Sequence, residues 1–288
     1  MATDSGRSLT HIVVKTIETI RWGPSLCIAA TLLTGIALSL PLRRPVDLAL
    51  ATVLVLLGFV NVNLYNYFTD VAEDVENERY NPVLDGRLST LIAGYLVVST
   101  VLVFVISAVW LSMLTFWLST LGLLLGFVYS NRLFRFKDRF VVKNLTIGVG
   151  YGLVLFIFRS GVGGLTTLDV IVALFFSFFS VTGSTTRDVF DVEGDRKSGV
   201  TTVPVKLGLT GTAYFLAAMG LLQLLSVVIP AVVGLIPTVY LALVAVAPFL
   251  FKRPYYVYRE EVEKLDPKGI PGIVVTSVLL LALRLSFA

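Results

Sequence analysis

The chain has 288 residues, 56% of them hydrophobic and only 15% charged, well below the roughly one-quarter charge of a soluble domain. That excludes a water-soluble globule, and segments that are continuously apolar rather than alternating exclude a β-barrel. The net charge of +4 gathers in a few loops and makes no case for nucleic acid, while one cysteine, Cys27, and one histidine, His11, leave no intramolecular disulfide and almost nothing for thiol, zinc or histidine chemistry.

Residues 1–21 hold no apolar core followed by a cleavage site, so no removable signal is expected. Leu9, Ile12, Val13, Thr16, Ile17 and Ile20 have helical spacing and predict an interfacial N-terminal helix. Nine spans follow, at roughly 22–40, 48–68, 90–109, 111–129, 144–160, 168–187, 211–230, 233–251 and 269–287. Each is near the ~20 residues needed to cross a bilayer, and lipid leaves the backbone no alternative to a helix. No linker or low-complexity tract interrupts them, so residues 1–288 are expected to form one all-α transmembrane domain.

The second span ends in Asn66, Asp70 and Asp74, which share a helical face at four-residue steps. The sixth ends in Asp188, Asp191 and Asp195, with Arg187 beside them. An acidic motif after the second span and another after the sixth suggest a repeated four-helix unit. Glu73, Glu76 and Glu78 would suit a plain solvated loop. Asn61, Asn63 and Asn66, however, lie inside the span, where buried amides line polar paths or pack helices. Two acidic faces at membrane helix ends call for cations between them, and Mg²⁺ prefers carboxylate oxygens together with those of a phosphorylated substrate. Asn66, Asp70, Asp74, Asp188, Asp191 and Asp195 are therefore the expected metal ligands, with Asp70, Asp74, Asp191 and Asp195 as the catalytic carboxylates. Gly194 is expected to end or bend its helix.

A diphosphate also needs cationic donors. Arg135 and Lys137, in the basic loop that begins at Tyr129, are candidates, as are Arg79, Arg87 and Arg187; Lys197 and Lys206 read as solvated. Nine spans place nineteen of the 23 Lys and Arg on the side of the N-terminus and both acidic motifs, leaving Arg43, Arg44, Arg159 and Arg284 opposite. Cationic loops stay cytoplasmic, so a multi-pass cell-membrane protein is expected, with its N-terminus and acidic motifs in the cytoplasm and its C-terminus across the membrane.

These motifs resemble those of the UbiA superfamily of intramembrane polyprenyltransferases. Asn66, Asp70 and Asp74, followed by Asn77, match the family's N-x-x-x-D-x-x-x-D. Asp188, Asp191, Glu193, Gly194 and Asp195 match D-x-x-D-x-E-G-D, and Gly199, Thr202, Pro204 and Leu207-Gly208 continue the pattern. The basic loop resembles Y-S-x-x-x-x-K-x-K, with Tyr129, Arg135 and Lys137 in place. The family's arginine before Pro82 is missing, since position 81 is Asn, and Arg79 is the expected substitute. The resemblance implies nine helices around a central cavity, two Mg²⁺ ions, and transfer of a polyprenyl group from its diphosphate to a lipophilic acceptor. Tyr129, Arg79, Arg135, Lys137 and Arg187 would bind substrate. The second motif is most similar to members acting on geranylgeranylglyceryl phosphate in ether-lipid synthesis; members with aromatic or chlorin acceptors have similar stretches.

Among rivals, a CDP-alcohol phosphotransferase would need Gly and Ala-Arg after its first acidic pair, and these are absent. A divalent-cation transporter would place its carboxylates near mid-membrane, not at span ends. No obligatory protein partner is evident.

Overall fold

The computed structural model describes residues 22–40, 44–76, 80–265, 276 and 279–282. The expected interfacial helix, Arg79 and most of the expected ninth span lie outside them. The described residues contain helices and no strand. In chain order they form α1 (Trp22–Leu38), α2 (Pro45–Thr69), the short α3 (Val71–Glu76), α4 (Gly86–Val105) and α5 (Met113–Ser130). Then come α6 (Val142–Val162), α7 (Thr167–Phe190), the short α8 (Val192–Lys197), α9 (Val203–Val232) and α10 (Ala247–Tyr258).

Local chemistry sets several starts. Pro45 opens α2, where its missing N–H costs nothing. Asp85 caps α4 by accepting from the Arg87 and Leu88 amides at 2.9 and 3.1 Å, and Ser112 caps α5. Thr166 and Asp169 form a reciprocal capping box at the head of α7.

Six helices are long and apolar enough to cross a membrane: α2, α4 with its π-helical extension to Leu111, α5, α6, α7 and α9. The first expected span is the shorter α1. The eighth is not one α-helix: the positive-φ Gly234 and then Pro237 redirect the chain into a 3₁₀ segment, Thr238–Val246, which runs on into α10. Exposed Val97, Val98, Val101, Trp110, Met113 and Trp117 make the outer faces of α4 and α5 apolar, as lipid contact requires.

Two buried clusters flank α1 and α6. One joins them to α7, α9 and α10 through Leu155, Phe175, Phe179, Val227 and Leu250. The other joins them to α2 and α4 through Leu54, Val55, Val103 and Phe158. Antiparallel α6 and α7 meet along a glycine seam. A Cβ on Gly148 would stand 2.9 Å from the Ser177 carbonyl oxygen, and one on Gly152 would collide with the Ser177 hydroxyl. Small residues four apart let membrane helices approach backbone to backbone. This seam fixes the register that sets the start of α6 against the end of α7.

At the opposite end of the seam Arg159 is buried. Its Nε donates to Asp169 Oδ1 at 2.7 Å and its Nη1 to Ser39 Oγ at 2.6 Å. The Thr166 amide and hydroxyl satisfy the other carboxylate oxygen. A charge this deep persists only when paired and fully hydrogen-bonded, so Arg159 ties α6 to α7 rather than marking an exposed loop.

Candidate active site

A cavity of about 1580 Å³ lies among α1, α2, α5, α6, α7 and α10, and all six expected metal ligands border it. Much of its wall is apolar, with Ile28, Leu54, Val55, Leu153, Val154 and Ile157; its mouth holds the carboxylates. A single drug-sized ligand fills roughly 300–1,000 Å³, so two substrates fit together.

Both acidic motifs are built in the same way. Rather than running on as one helix, α2 stops at Asp70 and α7 at Asp191, with φ, ψ of −100°, 3° and −100°, 5°. A six-residue helix follows each, α3 and α8. The Asp74 and Asp195 amides still donate to the Asp70 and Asp191 carbonyls, each at 2.8 Å. That near-helical step keeps the carboxylates on the cavity side. The expected bend at Gly194 is absent, since Gly194 lies inside α8; the stop is Gly199, at φ 73°.

Asn66 Oδ1 accepts from the Ser130 hydroxyl of α5. Asp70 pairs with Lys137 and accepts from Thr69 Oγ1 at 2.9 Å. Asp74 Oδ2 accepts from Asn81 Nδ2 at 2.8 Å. Buried Asn81 also donates to the Tyr67 carbonyl at 2.9 Å and accepts from the Val83 amide. The residue that replaces the family's arginine thus positions the first motif.

In the second motif, Asp188 is 1% exposed. Lys143 Nζ donates to its Oδ1 at 2.6 Å and Asn144 Nδ2 to its Oδ2 at 3.1 Å. Asp191 is exposed at the mouth. Asp195 is half-buried, and its Oδ2 has no hydrogen-bond partner among the described residues. Burial above all pushes its carboxyl above the ordinary range, against the opposing pull of Lys143 and of the neighbouring Thr202 hydroxyl.

The basic loop bridges the two motifs. Lys137 holds Asp70, while the Asp138 carbonyl accepts from the amide and hydroxyl of Thr201, beyond the second motif, at 3.2 and 3.1 Å. Arg135 pairs with Asp138. Arg135 and Val141 adopt positive φ, 42° and 60°. For a β-branched valine that is costly, and such strain gathers where a loop is held for function.

Tyr129, Arg135, Lys137 and Arg187 border the cavity as expected, whereas Arg87 is exposed and away from it. Lys197, expected to be solvated, borders the mouth, and Lys206 covers the Phe140 ring at 4.6 Å. Of the aromatic residues, Phe59, Tyr129, Tyr151, Phe179 and Phe190 line the wall, while Tyr65 and Phe127 stack on each other at 5.5 Å. Sequence reading missed Lys143, Asn144, Ser130 and Arg253. The one available signal was a Lys-Asn pair opening an apolar span.

Among the described residues no three acidic, His or Cys side chains converge closely enough to enclose a metal by themselves. Mg²⁺ keeps waters and takes substrate oxygens, using one or two carboxylates per ion. Asn66, Asp70 and Asp74 on one side, and Asp191 with the unsatisfied Asp195 on the other, fit that demand. Lysines neutralise Asp70 and Asp188 meanwhile.

The UbiA prenyltransferase family model matches residues 28–269. Digeranylgeranylglyceryl phosphate synthase of Methanothermobacter thermautotrophicus is 30% identical over 217 residues, covering 72% of this chain and 73% of that protein. The fold is that of a UbiA homolog from Aeropyrum pernix (TM-score 0.71, 17% identity, 91% of this chain and 98% of that one). A UbiA homolog from Archaeoglobus fulgidus, solved bound to GPP and Mg²⁺, is similar in the same way (TM-score 0.68, 18% identity, 94% and 98%).

Proposed function

The chain belongs to the UbiA prenyltransferase family, and from that premise we propose that it is a Mg²⁺-dependent ether-lipid enzyme. It moves a geranylgeranyl group from its diphosphate to the hydroxyl of geranylgeranylglyceryl phosphate. Membership removes the transporter and the CDP-alcohol phosphotransferase from consideration. The observation that carries the reading is the pair of like-built acidic motifs facing one cavity, with cations at its mouth and an apolar interior.

Asn66, Asp70, Asp74, Asp191 and Asp195 would hold Mg²⁺, with Asp188 behind them. When bound, the ions neutralise the diphosphate and stabilise it as a leaving group. Lys137 and Arg135 donate to the phosphate oxygens from the bridging loop. The wall from Ile28 to Ile157 takes the prenyl tail and excludes water that would quench the allylic cation. Phe59, Tyr129 and Tyr151 offer ring faces to that cation. The C–O bond breaks with its electrons leaving on the diphosphate, and the acceptor oxygen closes on the freed carbon while its proton passes to the released diphosphate.

The cations at the mouth, Arg135, Lys137, Lys143 and Lys197, with Arg139, Arg196 and Lys206 in the adjoining loops, support a cytoplasmic site in a single membrane domain. Purified protein in lipid discs, given labelled donor and acceptor, should release diphosphate in step with ether product. Excess chelator should stop it and Mg²⁺ restore it. Undiminished transfer without divalent metal, or release without product, would refute the proposal.

A further inference from the structure

Beside the acidic mouth, two guanidinium groups border the same cavity, those of Arg187 and Arg253. Ser180, Ser184, Arg187 and Asp191 follow one another at three- and four-residue steps down the cavity face of α7. Arg187 is therefore one turn, about 6 Å along the axis, deeper than Asp191. Among the described residues it forms no ion pair or hydrogen bond. Arg253 arrives from α10. Its Nη1 donates to Thr182 Oγ1 at 3.2 Å, and its guanidinium carbon lies 5.3 Å from the centre of the Phe179 ring. Only 9% exposed, it nonetheless borders the cavity. Its Nη1 also lies 3.9 Å from where a Cβ on Gly183 would stand, about one helical turn from Arg187, so the two charges converge on one region.

Every acidic residue lining the cavity, namely Asp70, Asp74, Asp138, Asp188, Asp191 and Asp195, belongs to the mouth. Asp188, the nearest in sequence to Arg187, has its oxygens engaged by Lys143 and Asn144. Ser184 Oγ accepts from Asn144 Nδ2 at 3.1 Å, which leaves its own proton for another acceptor. Two convergent cations and a hydroxyl donor in a membrane-embedded wall make a site for an anion. Arginine's planar fork suits a phosphate in particular.

We infer that Arg187 and Arg253, with the Ser184 hydroxyl, bind a phosphate monoester on the acceptor, apart from the donor diphosphate at the mouth. This rests on the ether-lipid reading above and adds what selects the acceptor: an anionic amphiphile is held here, and a neutral ring is not. Arg253 is then a specificity residue on a segment that composition assigns to a loop.

The test measures binding of a saturated alkylglyceryl phosphate, and of the same lipid without phosphate, to metal-free protein in phosphatidylcholine discs. Wild type is compared with Arg187→Met, Arg253→Met and Arg253→Lys. Losing a charged hydrogen bond costs roughly ten- to a hundredfold in Kd. Each Met variant should lose at least tenfold for the phosphate lipid and under twofold for the neutral one. Arg253→Lys, which keeps the charge but not the planar fork, should lose less than Arg253→Met for the phosphate lipid and under twofold for the neutral one. Unchanged phosphate-lipid binding in the Met variants, or equal loss of both lipids, overturns the inference. Should Arg253→Met not fold, Arg187→Met decides it by the same criteria. Wild-type turnover of geranylgeranylglyceryl phosphate is scored separately. If turnover is absent while phosphate-selective loss persists, the ether-lipid reading fails and the anion site stands. If turnover is present without selective loss, the anion site alone fails.

Discussion

Lys143→Met should destabilise the protein by an amount that Asp188→Asn largely recovers. Lys143 Nζ lies 2.6 Å from Asp188 Oδ1, with the carboxylate side chain 2% and the lysine side chain 20% exposed. Removing one partner of a buried pair costs about 3–5 kcal/mol, because the remaining charge is stranded. Asn144 still donates to the other oxygen at 3.1 Å, which puts Lys143→Met near the lower figure, about 3 kcal/mol. In a chain of this size that lowers Tm by roughly 6–12 °C. Asp188→Asn alone should cost less, since the lysine can move toward the mouth. The double variant should then lie at least 2 kcal/mol above the sum of the singles. Thermal unfolding of the four proteins in one detergent, with chelator present, measures the cycle. Additivity within about 0.5 kcal/mol would show that the two charges act independently and refute the argument.

Asn81→Arg restores the charge that the family pattern expects, yet it should lower both Tm and turnover, because buried Asn81 makes three hydrogen bonds that hold Asp74 and the turn after it. Equal or higher activity would show that phosphate contact outweighs that anchoring. Asp195→Asn should raise the metal-free Tm by about 1 kcal/mol equivalent, relieving a buried oxygen that lacks a partner, while cutting kcat about 10²–10³-fold. Asp70→Asn should cut kcat similarly without raising Tm, since it breaks the Lys137 pair; Glu261→Gln, at an exposed ion pair away from the cavity, should change neither.

Much of the site was legible because its ligands lie three and four residues apart at span ends, a pattern that local helix geometry alone makes meaningful. Asn66, Asp70, Asp74, Asp188, Asp191 and Asp195 all border the cavity for that reason. Their partners were not legible. Lys143 stands 45 residues from Asp188, Ser130 stands 64 from Asn66, and only the packed helices bring them together. Arg253 was read as part of a loop because the apolar run stops near 251, although α10 continues to Tyr258. The breaks at Asp70 and Asp191 were hidden too, since a residue at φ −100° carries no special sequence mark. Spans of clear length became α2, α5, α6 and α7, but the segment after Gly234 turned out to be 3₁₀ first, where apolar content does not distinguish helix types.

The glycine seam bears on traffic through the membrane. A long lipid enters and leaves a cavity of this kind sideways, through a wall that must part for it. Where side chains fill a wall, rotamer changes can open a slit. Between α6 and α7 the backbone at Gly148 and Gly152 lies against the Ser177 and Ala173 carbonyls as well as the Val181 and Ser177 side chains, so turning side chains aside leaves backbone still in contact and a gap would require two whole helices to separate. Parting them would also pull Lys143 from Asp188 at one end and Arg159 from Asp169 at the other. A doorway for prenyl chains is therefore not expected between α6 and α7.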